Sequence, residues 1–168
     1  MTPYCIVHEF RAPSFELFWA EYMREAFHSA LAAPLGMASR EVLARRDDDD
    51  EIKQTVRFVP VEQPPRFIRR LTGGDLSYLE ESTWHRADGR LEFEITFSRL
   101  LAARITGTFT VADLGAGRLS RTVRGEITVR IPALGRRIER HILEGMQSSY
   151  EIEARFTEEW FDASAARA

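Results

Sequence analysis

The 168-residue sequence has only one cysteine, Cys5, so an internal disulfide is excluded. A single thiol also supplies no cluster of metal-binding thiolates. No apolar run approaches the ~20 residues that span a bilayer, and the N-terminus lacks the basic-then-apolar pattern of a secretory signal. These absences favour a soluble protein of a reducing compartment, which we expect to be cytoplasmic.

Lysine is nearly absent as well, because Lys53 is the only one and arginine supplies almost all of the positive charge. The formal net charge of −3 gives no general attraction to nucleic acid, and we expect no nucleic-acid partner. The arginines either recognise anions in a bidentate way or reflect the base composition of the gene. Their spread along the whole chain favours the second explanation.

Motifs for metal, nucleotide or nucleophile chemistry are missing too. The four histidines are His8, His28, His85 and His141. None of them pairs with another at the spacing of a zinc site. The acidic run 47–50 lacks the spaced ligands of a calcium loop and is interpreted as a hairpin tip, and no helix follows Gly115-Ala116-Gly117 to make a phosphate cradle. We therefore expect no metal, no cofactor and no catalytic motif.

What the sequence does contain is a clear change of hydrophobic period. Residues 4–11 alternate as an opening strand. Ser14 is a favourable N-cap for apolar residues that recur at steps of three and four up to Leu31, in one helix or two short ones. From residue 39 to 132 the period is two, and the turn residues between the runs predict further strands. Their ranges are 40–46, 52–59, 67–72, 76–85, 91–98, 104–112 and 118–131.

A single long helix is predicted over residues 132–160, because apolar side chains recur there at helical spacing for about seven turns. Pro132 suits its first turn. Gly145 costs ~1 kcal/mol relative to alanine inside a helix, and we attribute it to a need for space beside a cavity or the sheet, with a kink as the alternative. Such a helix is best buried across the concave face of a sheet, which predicts one α+β domain over residues 1–168.

The order of these elements resembles the helix-grip fold of the START-like (SRPBCC) superfamily, which includes lipid-transfer domains, Bet v 1-type plant proteins and polyketide aromatase/cyclases. The resemblance is closest to a bacterial family of unknown function within it. The stretch that carries it is Gly125-Glu126-Ile127-Thr128-Val129-Arg130-Ile131-Pro132-Ala133-Leu134-Gly135, then Ile138-Glu139, then Thr157-Glu158-Glu159-Trp160. It implies a seven- or eight-stranded curved antiparallel sheet wrapped around the C-terminal helix, with a helical segment after the first strand. It also implies an internal cavity for an apolar molecule.

Alternate strand positions and one side of the C-terminal helix are predicted to face this cavity. The residues at these positions are the candidate ligand contacts. The apolar or small candidates are Phe93, Ile95, Phe97, Phe109, Val123, Ile127, Gly145, Met146 and Tyr150. The candidate polar anchors are His8, Arg121 and Ser149. His8 shares the phase of Ile6 and Phe10, so it either reaches a ligand or is an ordinary core histidine.

Three polar residues fall on strand phases that are otherwise apolar: Gln54, Glu80 and Arg121. If these phases face inward, each residue needs a partner, because an unpaired buried charge costs several kcal/mol. The sequence leaves three solutions open. These are an Arg121–Glu80 ion pair, a ligand with a polar end, and a strand end that opens to solvent.

The function that this pattern favours is binding or carriage of a hydrophobic small molecule, such as a lipid, isoprenoid or polyketide. That function requires a cavity of roughly 300 Å³ or more. An aromatase/cyclase-type enzyme is an alternative, in which at least two of His8, Glu80 and Arg121 reach one bound atom. A third is a non-enzymatic partner that makes transient membrane or protein contacts through residues 100–103 and the cluster Arg136, Arg137, Arg140 and His141. The oligomeric state is left open.

Overall fold

The elements follow one another in the order strand, two helices, two strands, helix, four strands and a long helix. The computed structural model describes residues 1–97 and 102–167. The strands of this part of the chain are β1 Thr2–Arg11, β2 Met37–Asp47, β3 Glu51–Pro60, β4 Tyr78–His85, β5 Arg90–Phe97, β6 Ala103–Gly115 and β7 Arg118–Val129. Its helices are α1 Phe15–Tyr22, α2 Glu25–Ala32, α3 Arg66–Thr72 and α4 Gly135–Arg167.

The strands form one curved antiparallel sheet in the order β1-β7-β6-β5-β4-β3-β2. The first strand lies beside the last, from Thr2 opposite Ile127 to Arg11 opposite Arg118. The chain then crosses through α1 and α2 to the far edge at β2 and returns strand by strand to β7. Of the seven- and eight-stranded alternatives, seven is confirmed, and α4 packs across β1 and β7.

Alternation along each strand decides which side chains face α4. In β5, Leu91 and Phe93 are buried whereas Glu92 between them is exposed. This dry inner face and wet outer face are what the two-residue period predicted. The hairpin turns also follow the predicted turn residues, with the acidic run at the β2–β3 turn and Gly89 at φ 62° after β4.

The middle of the sheet contains two glycines that face each other on neighbouring strands, Gly107 of β6 and Gly125 of β7. The Tyr4 side chain lies against them, and its hydroxyl donates to the Thr106 carbonyl at 3.0 Å. A Cβ at Gly107 would collide with the Tyr4 hydroxyl, and one at Gly125 would collide with the Thr106 carbonyl. The two glycines therefore make room for the Tyr4 ring on the inner face.

The segment after β1 consists of two short helices rather than one. Ser14 caps α1 as predicted, because its hydroxyl accepts from the Leu17 amide at 3.1 Å. The break falls at Arg24, whose ψ of 137° is extended. Both helices bury aromatic rings against the sheet, among them Phe18 and Phe27 at 1% exposure each.

The strand predicted over residues 67–72 is wrong, because α3 occupies this segment. Six residues are too few to separate a two-residue period from a helical one. The buried pair Ile68 and Thr72 is spaced four apart, and the Arg69 amide donates to the Pro65 carbonyl at 2.9 Å. Gly73, at φ 66°, ends the helix in the left-handed conformation that glycine adopts without strain.

The long C-terminal helix is confirmed, but its predicted bounds 132–160 are displaced. Residues 132–134 form a turn in which Ala133 has a φ of 63°, and the Gly135 amide donates to the Ile131 carbonyl at 2.9 Å. At the other end α4 continues to Arg167. None of the described helices is both long and apolar enough to cross a membrane.

Candidate functional site

A partly open cavity of about 140 Å³ lies between the inner face of the sheet, the α1–α2 segment and the middle of α4. Aromatic side chains make up much of its wall: Tyr22, Phe58, Tyr78, Phe93, Phe109 and Tyr150. Larger depressions, including one of about 800 Å³ beside Cys5 and Arg124, are open to solvent. The less open space beneath the aromatic side chains is therefore the candidate binding site.

Five of the twelve predicted ligand contacts line this cavity: Phe93, Ile95, Phe109, Ser149 and Tyr150. The strand residues among them project from β5 and β6, and the other two from one turn of α4. The structure therefore brings together the sheet and helix residues whose phases were predicted to face each other. Whether they touch a ligand stays a prediction.

The other apolar candidates lie outside the cavity wall. Val123 and Ile127 are fully buried in the core, where they pair with Phe109 and Ile105 across β6 and β7. Phe97 packs against Tyr78, with ring centroids 5.4 Å apart. Core packing thus accounts for these side chains.

The two helical candidates that do not line the cavity are Met146, which packs against the core, and Gly145. Gly145 is exposed, and a Cβ added there would meet nothing within 4 Å. The need for space that we inferred at Gly145 is therefore wrong. The spacing of apolar residues in the sequence indicates which face of a helix a residue lies on. It does not indicate whether the residue lies at the centre of that face or at its edge.

Arg121 is 1% exposed and lies beside the cavity without lining it. Its guanidinium pairs with Glu153 of α4 at 2.8 Å, so the predicted Arg121–Glu80 pair is wrong. The same guanidinium donates to the Tyr150 carbonyl and lies 5.0 Å from the centroid of the Tyr150 ring. Arg121 therefore holds α4 to β7. Burial raises the pKa of the Glu153 carboxyl, and the charge of Arg121 opposes that rise.

His8 lies next to Arg121 and not on the cavity wall. Its Nδ1 is 3.4 Å from the Arg121 guanidinium. Burial and the charge of Arg121 lower the pKa of His8, and the Glu151 carboxylate opposes that shift. The imidazole is therefore held in its neutral form in the packing between β1 and α4.

Glu80 of β4 lines the cavity, as its place on an apolar phase suggested. Its strand neighbours on the two sides are Val56 and Ile95. Burial raises the pKa of Glu80 to about 7, the negative charge of Glu153 adds to the rise, and Arg40 opposes it. Glu80 is therefore a carboxyl that changes its charge near neutral pH while facing an apolar space.

The cavity residues that were not predicted include two basic side chains, Arg40 of β2 and His28 of α2. The Arg40 side chain is 5% exposed, pairs with Glu25 and lies 5.8 Å from the centroid of Phe58. Burial and the nearby Arg40 charge lower the pKa of His28 to about 4. Little in the sequence indicated that these two residues line the cavity, because a charged residue near an edge strand usually faces solvent.

Among the described residues, no group of three or more histidine, cysteine or acidic side chains is arranged to hold a metal ion. The apolar segment 100–103 falls partly outside the described residues, since residues 100 and 101 are not among them. Its last residue, Ala103, is buried at the start of β6. The role of this segment in membrane or protein contacts stays a prediction.

Comparison with known families matches residues 6–161 to the family described as "Protein of unknown function (DUF2505)". The chain belongs to this family. No curated protein matches the chain significantly. The family assignment agrees with the resemblance stated from the strand-to-helix junction.

Solved structures share the fold at low sequence identity. A protein from Thermus thermophilus is 20% identical with a TM-score of 0.69, over 97% of this chain and 99% of that one. The Zhui aromatase/cyclase from a Streptomyces species is 10% identical with a TM-score of 0.69, over 96% and 93%. A START superfamily protein from Mycobacterium smegmatis is 14% identical with a TM-score of 0.53, over 91% and 97%. The START-like helix-grip fold is therefore confirmed.

Proposed function

We propose that the protein binds a compact hydrophobic molecule in the cavity between the sheet and α4. The observation that carries the proposal is a partly enclosed space whose wall is largely aromatic, with a few polar groups facing inward. Binding sites for small molecules have this composition, because apolar area supplies affinity and polar groups set orientation. The solved aromatase/cyclase and START superfamily relatives have the same fold, which supports the choice of site.

The volume of the cavity restricts the size of the ligand. At about 140 Å³ it falls short of the roughly 300 Å³ that we required from the sequence. An engineered cavity of about 150 Å³ binds benzene, so a ligand of one ring fits here without movement. A lipid, isoprenoid or polyketide chain would need α4 or the α1–α2 segment to move outward.

The test is native mass spectrometry, with solvent extraction, of protein purified from its own host. We expect a reproducible small apolar adduct on the wild type. Ile95→Trp fills the cavity and should remove the adduct, whereas Leu79→Trp, on the exposed outer face of β4, should keep it. Thermal unfolding of both variants checks that the fold is retained. An adduct that survives Ile95→Trp, or none on the wild type, would contradict the proposal.

The enzymatic alternative is less well supported by the geometry. It requires at least two of His8, Glu80 and Arg121 to reach one bound atom. Of the three, only Glu80 lines the cavity. Arg121 and His8 contact each other instead, and Arg121 is engaged by Glu153. Binding without chemistry therefore remains the function that we propose.

A second candidate function is transient contact with an anionic membrane, and an arginine-rich surface favours it. Exposed arginines from α3 and from the first turns of α4 form this arginine face: Arg66, Arg69, Arg70, Arg136, Arg137 and Arg140. The two helices meet where the Arg137 guanidinium lies 4.2 Å from the centroid of the Phe67 ring. Each arginine near an anionic leaflet adds about 1 kcal/mol of attraction.

Ion pairs elsewhere on the surface make this face distinctive. Most arginines of the sheet, though not Arg57 and Arg124, have an acidic partner among the described residues, as Arg104 has Glu94 and Arg118 has Glu9. In the described part of the chain, none of the six arginines of the arginine face forms an ion pair within 4.0 Å. Its positive charge is therefore available to an external anion, although the chain as a whole has a net charge of −3.

A further inference from the structure

The carboxyl group of Glu80 is the starting point for an inference about ligand chemistry. Two acidic side chains line the cavity, Glu80 of β4 and Glu153 of α4. Glu153 has an ion-pair partner in Arg121, at 2.8 Å. Glu80 has neither an ion pair nor a side-chain hydrogen bond among the residues that the structure describes. It is an acid that faces the cavity without a partner.

The other charged groups around the cavity are already balanced. Arg121 of β7 neutralises Glu153, and Arg40 of β2 pairs with Glu25 of α2. The imidazole of His28, also on α2, is neutral because burial lowers its pKa to about 4. Arg40 lowers the pKa of Glu80 from across the cavity but forms its ion pair with Glu25, so an ionised Glu80 has no ion pair of its own among the described residues.

The remaining titratable groups near Glu80 do not supply a positive charge. Tyr78 precedes it on the inner face of β4, Tyr22 closes the cavity from α1, and Tyr150 does so from α4. Burial raises the pKa of all three phenols, so they stay neutral. The strand neighbours Val56 of β3 and Ile95 of β5 are apolar. Arg40 is thus the cation of the described residues that acts on Glu80, and a bound cation would be the first to pair with Glu80 directly.

The aromatic wall suits a cation as well as an apolar body. The rings of Phe58 and Tyr78 stack with centroids 5.0 Å apart, the Arg40 guanidinium already lies over the Phe58 ring, and Phe93 and Phe109 also line the wall. The face of an aromatic ring carries partial negative charge and attracts an ammonium group within about 6 Å. A carboxylate surrounded by such faces is the arrangement that recognises organic ammonium ions.

We propose that the ligand of this cavity is a compact amine whose single ammonium group pairs with Glu80 and whose apolar body contacts the aromatic wall. This inference rests on the proposed function, because it names the class of molecule bound in the same cavity. An ion pair with the ligand's ammonium group offsets the energetic cost of the Glu80 charge in the cavity. A neutral molecule of equal shape cannot offset that cost.

The proposal has a defined pH dependence. The pKa of Glu80 is about 7 in the empty cavity, so the carboxyl is mostly protonated about one pH unit below that value and mostly ionised about one unit above it. An amine whose own pKa is near that of lysine stays charged over this range. Its affinity should therefore rise about tenfold from about pH 6 to about pH 8, with release of a proton on binding at the lower pH.

The test is calorimetric titration of the full chain with benzylamine and with benzyl alcohol, a neutral molecule of nearly the same shape. Each titration is done at about pH 6 and about pH 8 in two buffers of different ionisation enthalpy, which reports proton release. The variants are Glu80→Gln and, as the matched control on the exposed outer face of the same strand, Glu81→Gln. Thermal unfolding checks that both variants fold.

We expect benzylamine to bind the wild type and Glu81→Gln, about tenfold more tightly at the higher pH. Glu80→Gln should lose at least tenfold of that affinity and still bind benzyl alcohol. The inference is overturned if benzyl alcohol binds and benzylamine does not, or if Glu80→Gln binds benzylamine as the wild type does. If neither molecule binds any of the proteins, the proposed function fails together with the inference.

Discussion

At the scale of single residues, two acids in the same cavity behave differently because of their neighbours. Glu153 is held by Arg121, whereas Glu80 is surrounded by apolar strand residues and aromatic rings. Burial raises the pKa of both carboxyls and an arginine opposes each rise, but Arg121 forms an ion pair with Glu153, whereas Arg40 forms its ion pair with Glu25 and not with Glu80. The contact with Arg121 thus gives Glu153 a structural role, whereas Glu80 lacks that contact and is available to a ligand.

Replacing Glu80 should change how stability depends on pH. Its folded-state pKa of about 7 lies above the ordinary value of 4.5, so the folded protein holds this proton more tightly than the unfolded chain. The resulting stabilisation is complete below 4.5 and is lost as the pH rises through about 7. Glu80→Gln should therefore be more stable than the wild type at about pH 8, by at most about 3 kcal/mol.

The measurement is the free energy of unfolding in urea at about pH 4 and about pH 8. Glu81→Gln is the control, because its side chain is on the exposed face of β4. The difference between Glu80→Gln and the wild type should grow with pH, whereas that of the control should stay constant. A gain that is equal at both pH values would show that the Glu80 carboxyl titrates in its ordinary range.

The buried Arg121–Glu153 pair should be costly to break from one side. Arg121→Met leaves an uncompensated carboxylate in the interior and should reduce the free energy of unfolding by roughly 3–5 kcal/mol. The double variant Arg121→Met with Glu153→Leu should recover much of that loss, because apolar groups replace both charges. Arg104→Met breaks the exposed Arg104–Glu94 pair and should cost no more than about 1 kcal/mol. Equal losses in the two single variants would refute the assignment of a buried pair.

At the scale of elements, glycines in the sheet and in the helix have opposite roles. Gly107 and Gly125 are required where Tyr4 crosses β6 and β7, because a Cβ at either position meets the tyrosine hydroxyl or a backbone carbonyl. Gly145 lies in α4 with open space around it. The first two are demanded by packing between elements, whereas nothing in the packing of the described residues demands the third.

Alanine substitutions should therefore have opposite signs. Gly145→Ala should increase the free energy of unfolding by up to about 1 kcal/mol, because alanine favours the helix and meets no neighbour. Gly125→Ala should destabilise the protein by more than that amount, because its Cβ would overlap the Thr106 carbonyl. Thermal and urea unfolding of both variants provide the measurement. A destabilised Gly145→Ala variant would indicate that the glycine serves a contact or a motion that the resting structure does not contain.

At the scale of the whole molecule, charge is distributed unevenly. The sheet surface carries several arginine–carboxylate pairs, and the arginine face gathers positive charge on α3 and the start of α4. The sequence alone suggested only the α4 part of this face, because 67–72 was predicted to be a strand. The tertiary contact between Phe67 and Arg137 brings the two segments together.

The arginine face should bind anionic vesicles. The wild type should co-sediment with vesicles that contain phosphatidylglycerol and not with pure phosphatidylcholine, and salt should weaken the binding. Replacing Arg69, Arg70, Arg136 and Arg140 with serine should lower the apparent affinity by at least tenfold, given about 1 kcal/mol per arginine. Arg104→Ser with Arg118→Ser, on the sheet, is the control. Equal binding to both kinds of vesicle would exclude this surface as an electrostatic contact.

Apart from the segment of α3, the sequence by itself determined the elements, their order and which side of each strand is buried. Those properties depend on local periods, caps and turn residues, as the alternation of β5 and the Ser14 cap show. It also marked Glu80 and Arg121 as polar residues on apolar phases. Only the tertiary structure decided that Arg121 pairs with Glu153, that α3 is a helix, and that the cavity holds about 140 Å³. The physical reason is that a pairing or a volume depends on the distance between segments far apart in the chain, whereas a period depends only on neighbours within a few residues.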